Sequence, residues 1–193
     1  MRDSILAAVK QNQPTHQVDI GQYQFEPNYP NLLEKFEDTL NFIGGKMLKI
    51  KQLSEIESHL PLLYGDISNV ASTIPALAHL ADFSINSPDP HDLETIELAI
   101  VPGGIAVAEN AAIWITEADV VHRALPFICQ YLAIVIEAKN IVGNMHQAYA
   151  KIETDATGWG CFVAGPSKTA DIEQSLIIGA HGARGLVVFV LED

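Results

Sequence analysis

The run Leu186-Val-Val-Phe-Val-Leu191 is apolar at every position and rich in β-branched side chains. Such a run does not alternate between apolar and polar positions, which is typical of a strand buried on both faces of a sheet. Four other short apolar runs lie upstream beside turn residues: Leu98–Pro102, Ala112–Thr116, Leu132–Ile136 and Gly160–Ala164. These five runs predict the strands around which the chain folds.

Helical patterns lie between several of these strands, including Gly143–Ile152 and Asp171–Ile178. Because alternation of strands with helices favours parallel pairing, the sequence predicts an α/β fold with a mostly parallel central sheet covered by helices.

The N-terminal part predicts further elements. A short amphipathic helix at Ser4–Lys10 is followed by a polar stretch, which suggests residues 1–20 as a helix and linker and 21–193 as the main domain. An apolar stripe predicts a helix with Pro30 near its first position and Gly44-Gly45 after its end. Lys46–Ile50 alternates like a half-exposed strand. Ser54 and Glu57 form a capping-box pattern for a helix that is predicted to stop before Pro61.

Charge excludes several classes of partner. The 193 residues carry 11 Lys plus Arg against 24 Asp plus Glu, a formal net charge of −13, and no Lys or Arg lies between Lys51 and Arg123. This field repels nucleic acid and anionic membrane surfaces. No apolar run approaches the ~20 residues of a membrane span, and Met1-Arg2-Asp3-Ser4 does not resemble a signal peptide. We therefore expect a cytoplasmic protein.

The two cysteines, Cys129 and Cys161, are far apart and do not form a C-x-x-C motif. Zinc sites and iron–sulfur clusters usually take four ligands, with thiolates predominating in the clusters. The sequence therefore predicts no metal site and no cofactor of the chain's own.

The first candidate site loop is Val101–Asn110. Ligands of open α/β sheets gather beyond the carboxyl ends of the strands, and this loop joins two apolar runs. Gly104 permits close backbone approach to a ligand, while Glu109 and Asn110 supply a carboxylate and an amide. The alternative, which the residues alone favour, is a tight glycine turn with a solvated Glu109.

The second candidate is Gly165-Pro-Ser-Lys-Thr-Ala-Asp-Ile-Glu173. A strand, a glycine turn with Ser167, Lys168 and Thr169, and a predicted helix N-terminus would together favour an anion. The loop is not a Walker A motif. Alternatively, Asp171 caps the helix and competes for the same donors.

The segment His181-Gly-Ala-Arg184 leads into the last strand. Arg184 is suited to clamping a carboxylate, and His181 to proton transfer near neutral pH. A loop in which both side chains bond nearby carbonyls is the alternative, and an isolated pair favours it.

Gly165–Glu173 followed by His181–Arg184 resembles the C-terminal signature of the lactate-utilisation protein C family, the LUD domain. That signature runs G-P-S-[KR]-T-A-D-I-E and then H-G-P-[RK]; Ala183 replaces the usual proline. Ala106–Ala111 is similar to the family's G-I-A-E-T-G element, with Ala106, Asn110 and Ala111 in place of Gly, Thr and Gly.

The resemblance implies the broad fold of sugar-phosphate isomerases, CoA transferases and 5-formyltetrahydrofolate cyclo-ligase. It also implies a role in bacterial oxidation of L-lactate to pyruvate beside iron–sulfur partner proteins. The chain would be a cluster-free accessory or substrate-handling subunit that binds a small carboxylate or another anion. The implied pocket comprises Gly104, Glu109, Asn110, Ser167, Lys168, Thr169, Asp171, His181 and Arg184.

Two alternatives remain open from the sequence. The broad fold hosts transferases and ligases, so the chain can also be a stand-alone small-molecule enzyme, although no nucleophile or nucleotide loop is evident. It can also be a purely structural partner whose loops shape a docking surface.

Overall fold

The computed structural model describes residues 2–13, 26, 29–153, 158–170 and 176–192. Five strands form the central sheet, and their bounds are β1 Lys46–Ile50, β2 Val70–Ser72, β3 Leu98–Pro102, β6 Tyr131–Glu137 and β11 Gly185–Leu191. The remaining strands are β4 Ala106–Val107, β5 Ile113–Thr116, β7 Ile141–Val142, β8 Gly160–Val163, β9 Lys168–Ala170 and β10 Leu176–Ile178.

The central sheet has the order β1-β11-β6-β3-β2, and every neighbouring pair is parallel. The apolar run at the C-terminal end of the sequence forms β11, which lies between β1 and β6, with Gly185 opposite Tyr131 and Leu191 opposite Glu137. The run is apolar throughout because both faces of β11 are covered. The predicted α/β class with a mostly parallel sheet is confirmed.

The two faces of this sheet contribute to two apolar clusters. Leu186, Val188 and Val190 pack on one face with helix α2 (Leu32–Phe42) and with the second sheet. Val187 and Phe189 pack on the other face with helix α3 (Glu55–Tyr64).

Two of the predicted strands do not join the central sheet. The Ala112–Thr116 and Gly160–Ala164 runs form β5 and β8, which pair antiparallel in a second sheet of order β7-β4-β5-β8. Trp114 and Phe162 are cross-strand neighbours in this pair, with 4.9 Å between their ring centres, a contact that stabilises it.

The boundaries of α2 and α3 differ from the sequence expectation. The first residue before α2 is Asn31, whose side chain accepts from two backbone N–H groups of the first turn, so Pro30 lies outside the helix. Ser54 makes no capping hydrogen bond, and α3 continues through Pro61 rather than stopping before it. Burial of Ile56 and Leu60 against the sheet stabilises α3 despite the backbone donor that proline lacks.

Other helices are short. They are α1 Arg2–Gln11, α4 Glu117–Val120, α5 Leu125–Ile128 and α6 Met145–Tyr149, with 3₁₀ turns at Pro75–Leu80, Pro90–Leu93 and Ala138–Asn140. The Gly143–Ile152 pattern thus yields only the five residues of α6, capped by Asn144. No helix within the described ranges is long and apolar enough to cross a membrane.

The predicted helix Asp171–Ile178 is wrong at its C-terminal end. Leu176–Ile178 forms β10, which pairs antiparallel with β9. Residues 171–175, including Asp171 and the expected cap, lie outside the described residues, as does most of the expected linker at 14–20. Ile177 and Ile178 favour the strand because β-branched side chains are well accommodated there.

Candidate functional site

A cavity of about 510 Å³ lies at the amino ends of the central strands. We call it the Ser167 pocket. Its polar wall comprises the side chains of Asn110, Ser167, Lys168 and His181. Apolar residues form most of the rest, among them Ile43, Phe127, Leu132, Phe162 and Leu186. Leu132 and Leu186 are early residues of β6 and β11, which places the pocket at the strands' amino ends.

Backbone hydrogen bonds hold the Gly165–Lys168 loop in place. The Ser167 N–H donates to the Ala183 carbonyl at 2.8 Å, and the Gly179 N–H donates to the Ser167 carbonyl at 3.0 Å. Gly165 has φ +71°, a left-handed conformation for which glycine is suited. The loop is thereby fixed against the chain that enters β11.

The two motif segments meet at Gly182. A Cβ atom at this position would lie 3.1 Å from the Ser167 Cβ, so the absence of a side chain permits the close approach. Ser167 and His181 consequently line the same cavity. Neither the Ser167 hydroxyl nor the His181 ring forms a hydrogen bond with another described residue, which leaves both groups available to a ligand.

Lys168 has a structural contact of its own. Its Nζ donates to the carbonyl of Ile43, the residue that ends α2. A cation is favourable at a helix C-terminus, where carbonyl groups lack partners. Because an ammonium group has three donors, Lys168 can hold this carbonyl and still contact an anion in the pocket.

Only Asn110 of the first candidate loop lines the pocket. Its Oδ1 accepts from the Ala112 N–H at 3.1 Å, which shapes the turn between β4 and β5. Buried Ala111 within this turn has φ +56°, a conformation suited to the glycine of the family motif that it replaces.

Gly104 and Glu109 do not line the pocket, and their contacts are structural. The Gly104 N–H donates to the Trp114 carbonyl at 2.8 Å. The Glu109 carboxylate accepts from the Met145 N–H at 2.9 Å and so caps the first turn of α6.

Arg184 lies in a different cavity. Its guanidinium carbon is 4.7 Å from the centre of the Tyr131 ring, in cation–π geometry. It lines a cleft of about 180 Å³ with Tyr64, Glu97 and others. The structure therefore does not bring Arg184 together with Lys168. Thr169 sits in the β9–β10 hairpin opposite Ile177, and Asp171 is outside the described residues.

The Ser167 pocket lies at the amino ends of the central strands, whereas the sequence predicted a site at their carboxyl ends. The Gly165 loop follows β8, which is a strand of the second sheet. The loop therefore does not lie at the carboxyl end of a central strand. The loop instead contacts Ile43 before β1 and Ala183 before β11.

Both cysteines are poor candidates for metal ligands. Burial raises the pKa of the Cys129 thiol to about 12, and burial also raises the pKa of Cys161. A metal ligand is the thiolate, which burial disfavours. Among the residues that the structure describes, no three His, Cys, Asp or Glu side chains are placed to hold a metal ion.

The family model of the LUD domain matches residues 90–191, more than half of the chain. The chain belongs to the LUD domain family. A similar protein is the lactate utilization protein C of Shouchella clausii, 30% identical over 106 residues, which are 52% of this chain and 46% of that protein. The protein of the same name from Oceanobacillus iheyensis is 28% identical over 120 residues, 59% of this chain and 52% of its own length. This LUD domain chain thus spans about half the length of the curated relatives that it matches.

The fold has a counterpart among solved structures. A crystal structure of a DUF162 family protein from Deinococcus radiodurans matches with a TM-score of 0.64 and 20% sequence identity, covering 83% of this chain and 96% of that chain. At this identity the match shows a shared fold.

The polar wall of the Ser167 pocket lies within the matched LUD segment, but part of its apolar wall does not. Ile43 precedes residue 90, and sequence reasoning missed it together with Phe127, Leu132 and Leu186. These residues carry no local signal of a site, because an apolar side chain that lines a cavity has the same pattern as one that fills a core.

Proposed function

We propose that this LUD domain chain is the cluster-free, substrate-handling subunit of a bacterial L-lactate oxidation system, and that it binds a carboxylate in the Ser167 pocket. The observation that carries the proposal is that Ser167, Lys168 and His181 line one cavity together with Asn110 and several apolar side chains. The name shared by the relatives, lactate utilization protein C, supports the assignment to lactate metabolism.

The chemistry of the pocket suits a hydroxy or keto acid. The Lys168 ammonium supplies positive charge, and the Ser167 hydroxyl and His181 ring supply donors that a carboxylate accepts. Phe162 and Leu186 provide apolar contact for a carbon skeleton. An anion held here gains charge-assisted hydrogen bonds in a chain whose net charge otherwise repels it.

The cavity exceeds the needs of L-lactate alone. Its volume of about 510 Å³ lies in the range of sites for much larger ligands, roughly 300–1,000 Å³. L-Lactate or pyruvate would fill only part of it, so room is left for a group that a partner contributes.

Electron transfer is assigned to partners in this proposal. The sequence has two cysteines, and Cys129 is buried with its thiol kept protonated by a raised pKa. An iron–sulfur cluster commonly requires four thiolates, which favours partner proteins as the cluster carriers.

Growth on L-lactate tests the proposal in an organism that carries the intact system. Lys168→Met should abolish L-lactate-dependent growth, whereas the matched control Lys51→Met, at an exposed lysine away from the pocket, should not. Protein level and thermal unfolding are measured for both, because Lys168 also contacts the end of α2.

Binding measurements on the isolated chain distinguish the loss of a ligand contact from the loss of stability. In the isolated chain, Ser167→Ala and His181→Gln should each weaken L-lactate or pyruvate binding by about tenfold, as followed by NMR titration, without lowering the unfolding temperature. Normal growth and binding in all three pocket variants would refute the proposal. Turnover of a CoA thioester or sugar phosphate by the purified chain would favour the stand-alone enzyme instead.

A further inference from the structure

A second cavity lies at the same edge of the sheet but on the opposite face from the Ser167 pocket. We call it the Arg184 cleft. It has a volume of about 180 Å³, and the residues relevant to a ligand are Tyr64, Asp66, Glu97, Gln130, Tyr131 and Arg184. The N–H groups of Gln130, Tyr131 and Arg184 are already used, since they donate to the carbonyls of Ile96, Glu97 and Gln130. The charged side chains are among the remaining polar groups that can recognise a ligand in the cleft.

Charges of both signs line this cleft without pairing. Arg184 forms no ion pair within 4 Å with any described acid, although Asp66 and Glu97 line the same small space. Glu97 uses one carboxylate oxygen to accept from the Ser68 N–H at 2.9 Å, which leaves the other oxygen without a described partner. Opposite charges that share a cleft without pairing leave room for a ligand between them.

Arg184 is also held in place. Its guanidinium lies over the Tyr131 ring at 4.7 Å, and Tyr64 packs against Tyr131 with 4.9 Å between ring centres. A guanidinium stacked on an aromatic face keeps its N–H edge available for a carboxylate. The aromatic pair thus presents the cation to the cleft.

We propose that the Arg184 cleft binds a small zwitterion of the α-amino acid class, whose carboxylate contacts Arg184 and whose ammonium contacts Asp66 and Glu97. A simple anion would be repelled by the two acids, and a simple cation by the arginine. A zwitterion satisfies all three charges, and the volume of the cleft limits it to a small molecule.

L-Alanine and L-lactate provide a matched pair of probes, because they share a carbon skeleton and differ in the ammonium and hydroxyl groups. NMR titration of the isotope-labelled full chain should show L-alanine perturbing the signals of Glu97, Tyr131 and Arg184 with a Kd of order 1 mM. Propionate, ethylammonium and L-lactate should not perturb these signals at the same concentration.

Substitutions of the charged residues test which side chains contact L-alanine. Glu97→Gln keeps an oxygen acceptor for Ser68 and removes only the charge, so it should weaken L-alanine binding by about tenfold, as should Asp66→Asn. Arg184→Met should remove binding, while Arg2→Met serves as the control on an exposed helix without buried residues. Ser167→Ala should leave L-alanine binding unchanged, which separates this site from the proposed carboxylate pocket.

Absence of any L-alanine-induced shift at these residues would overturn the inference. Equal binding of L-alanine and L-lactate would overturn it as well, because the ammonium group would then make no contribution. Binding that survives both Glu97→Gln and Asp66→Asn would have the same consequence.

Discussion

Tyr64→Phe is expected to stabilise the protein. The Tyr64 hydroxyl is buried and has no hydrogen-bond partner among the described residues. A buried polar group without a partner costs about 1–3 kcal/mol, whereas phenylalanine keeps the ring contact with Tyr131 and removes the hydroxyl. We expect the free energy of unfolding to rise by about 1 kcal/mol, and the Tm to rise by roughly 2–4 °C for a chain of this length.

Alkaline pH should enlarge the difference in the free energy of unfolding between Tyr64→Phe and the wild type. Burial, followed by the proximity of Tyr131 and Cys129, raises the pKa of Tyr64 well above its ordinary value near 10. In the unfolded chain the phenol ionises near that value, while in the fold it stays neutral. The contribution of the neutral phenol is therefore fully present below pH 10 and is lost as pH rises further, at about 1.4 kcal/mol per pH unit. Phenylalanine has no ionisable group, so the free energy of unfolding of Tyr64→Phe does not include this decrease.

Urea unfolding of the two proteins between neutral pH and the onset of alkaline unfolding measures both effects. Tyr149→Phe is the matched control, since the Tyr149 side chain is 60% exposed, and its free energy of unfolding should change by less than about 0.5 kcal/mol. A loss of stability in Tyr64→Phe at neutral pH would refute the reasoning, because it would show that the hydroxyl has a favourable partner. Parallel pH curves for the wild type and Tyr64→Phe would refute the assignment of the raised pKa.

Three further predictions concern packing, capping and thiol chemistry. Gly103→Ala should lower the free energy of unfolding by about 2 kcal/mol in urea, since the added Cβ would lie 2.7 Å from Cγ2 of Ile113 between the two sheets. Asn31→Ala should cost about 1 kcal/mol in the same assay, because the Asn31 side chain accepts from two backbone N–H groups of α2. In native protein at about pH 8, iodoacetamide should leave Cys129 unmodified and should label Cys161 more slowly than in urea, as measured by mass spectrometry. The reason is that burial raises the pKa of both thiols, that of Cys129 to about 12. Rapid native labelling of Cys129 would show that its environment is open.

The interior strands β3, β6 and β11 of the central sheet could be predicted because they are buried on both faces, whereas no local pattern predicted β2. Leu132–Ile136 and Leu186–Leu191 are apolar without alternation, which is typical of strands in a sheet covered on both sides. The same argument did not separate β5 and β8 from the central sheet. A short apolar run does not reveal which strand it pairs with, since pairing depends on contacts such as that between Trp114 and Phe162 across the second sheet.

The hairpin of β9 and β10 was missed for a related reason. Residues 171–178 carry a helical pattern of apolar positions, but Leu176–Ile178 pairs with Lys168–Ala170. Local periodicity is a weak guide in a segment whose partner strand is only a few residues away, because a hairpin needs no long-range pattern to form. The predicted helix N-terminus at Asp171 lies outside the described residues, while Ser167, Lys168 and His181 line one pocket.

The segment His181–Arg184 contributes to two cavities on opposite faces of the sheet. His181 lines the Ser167 pocket and Arg184 lines the Arg184 cleft. Two backbone hydrogen bonds fix the chain between them: the Ala183 carbonyl accepts from the Ser167 N–H, and the Arg184 N–H donates to the Gln130 carbonyl. Nearness in sequence therefore does not imply a shared ligand here. Substitutions in this four-residue segment should fall into two groups, with His181→Gln affecting carboxylate binding and Arg184→Met affecting zwitterion binding. If the two substitutions instead impaired binding of the same ligand, the cavities would act as one site, and the separation of Arg184 from Lys168 in the structure would not describe the ligand-bound state.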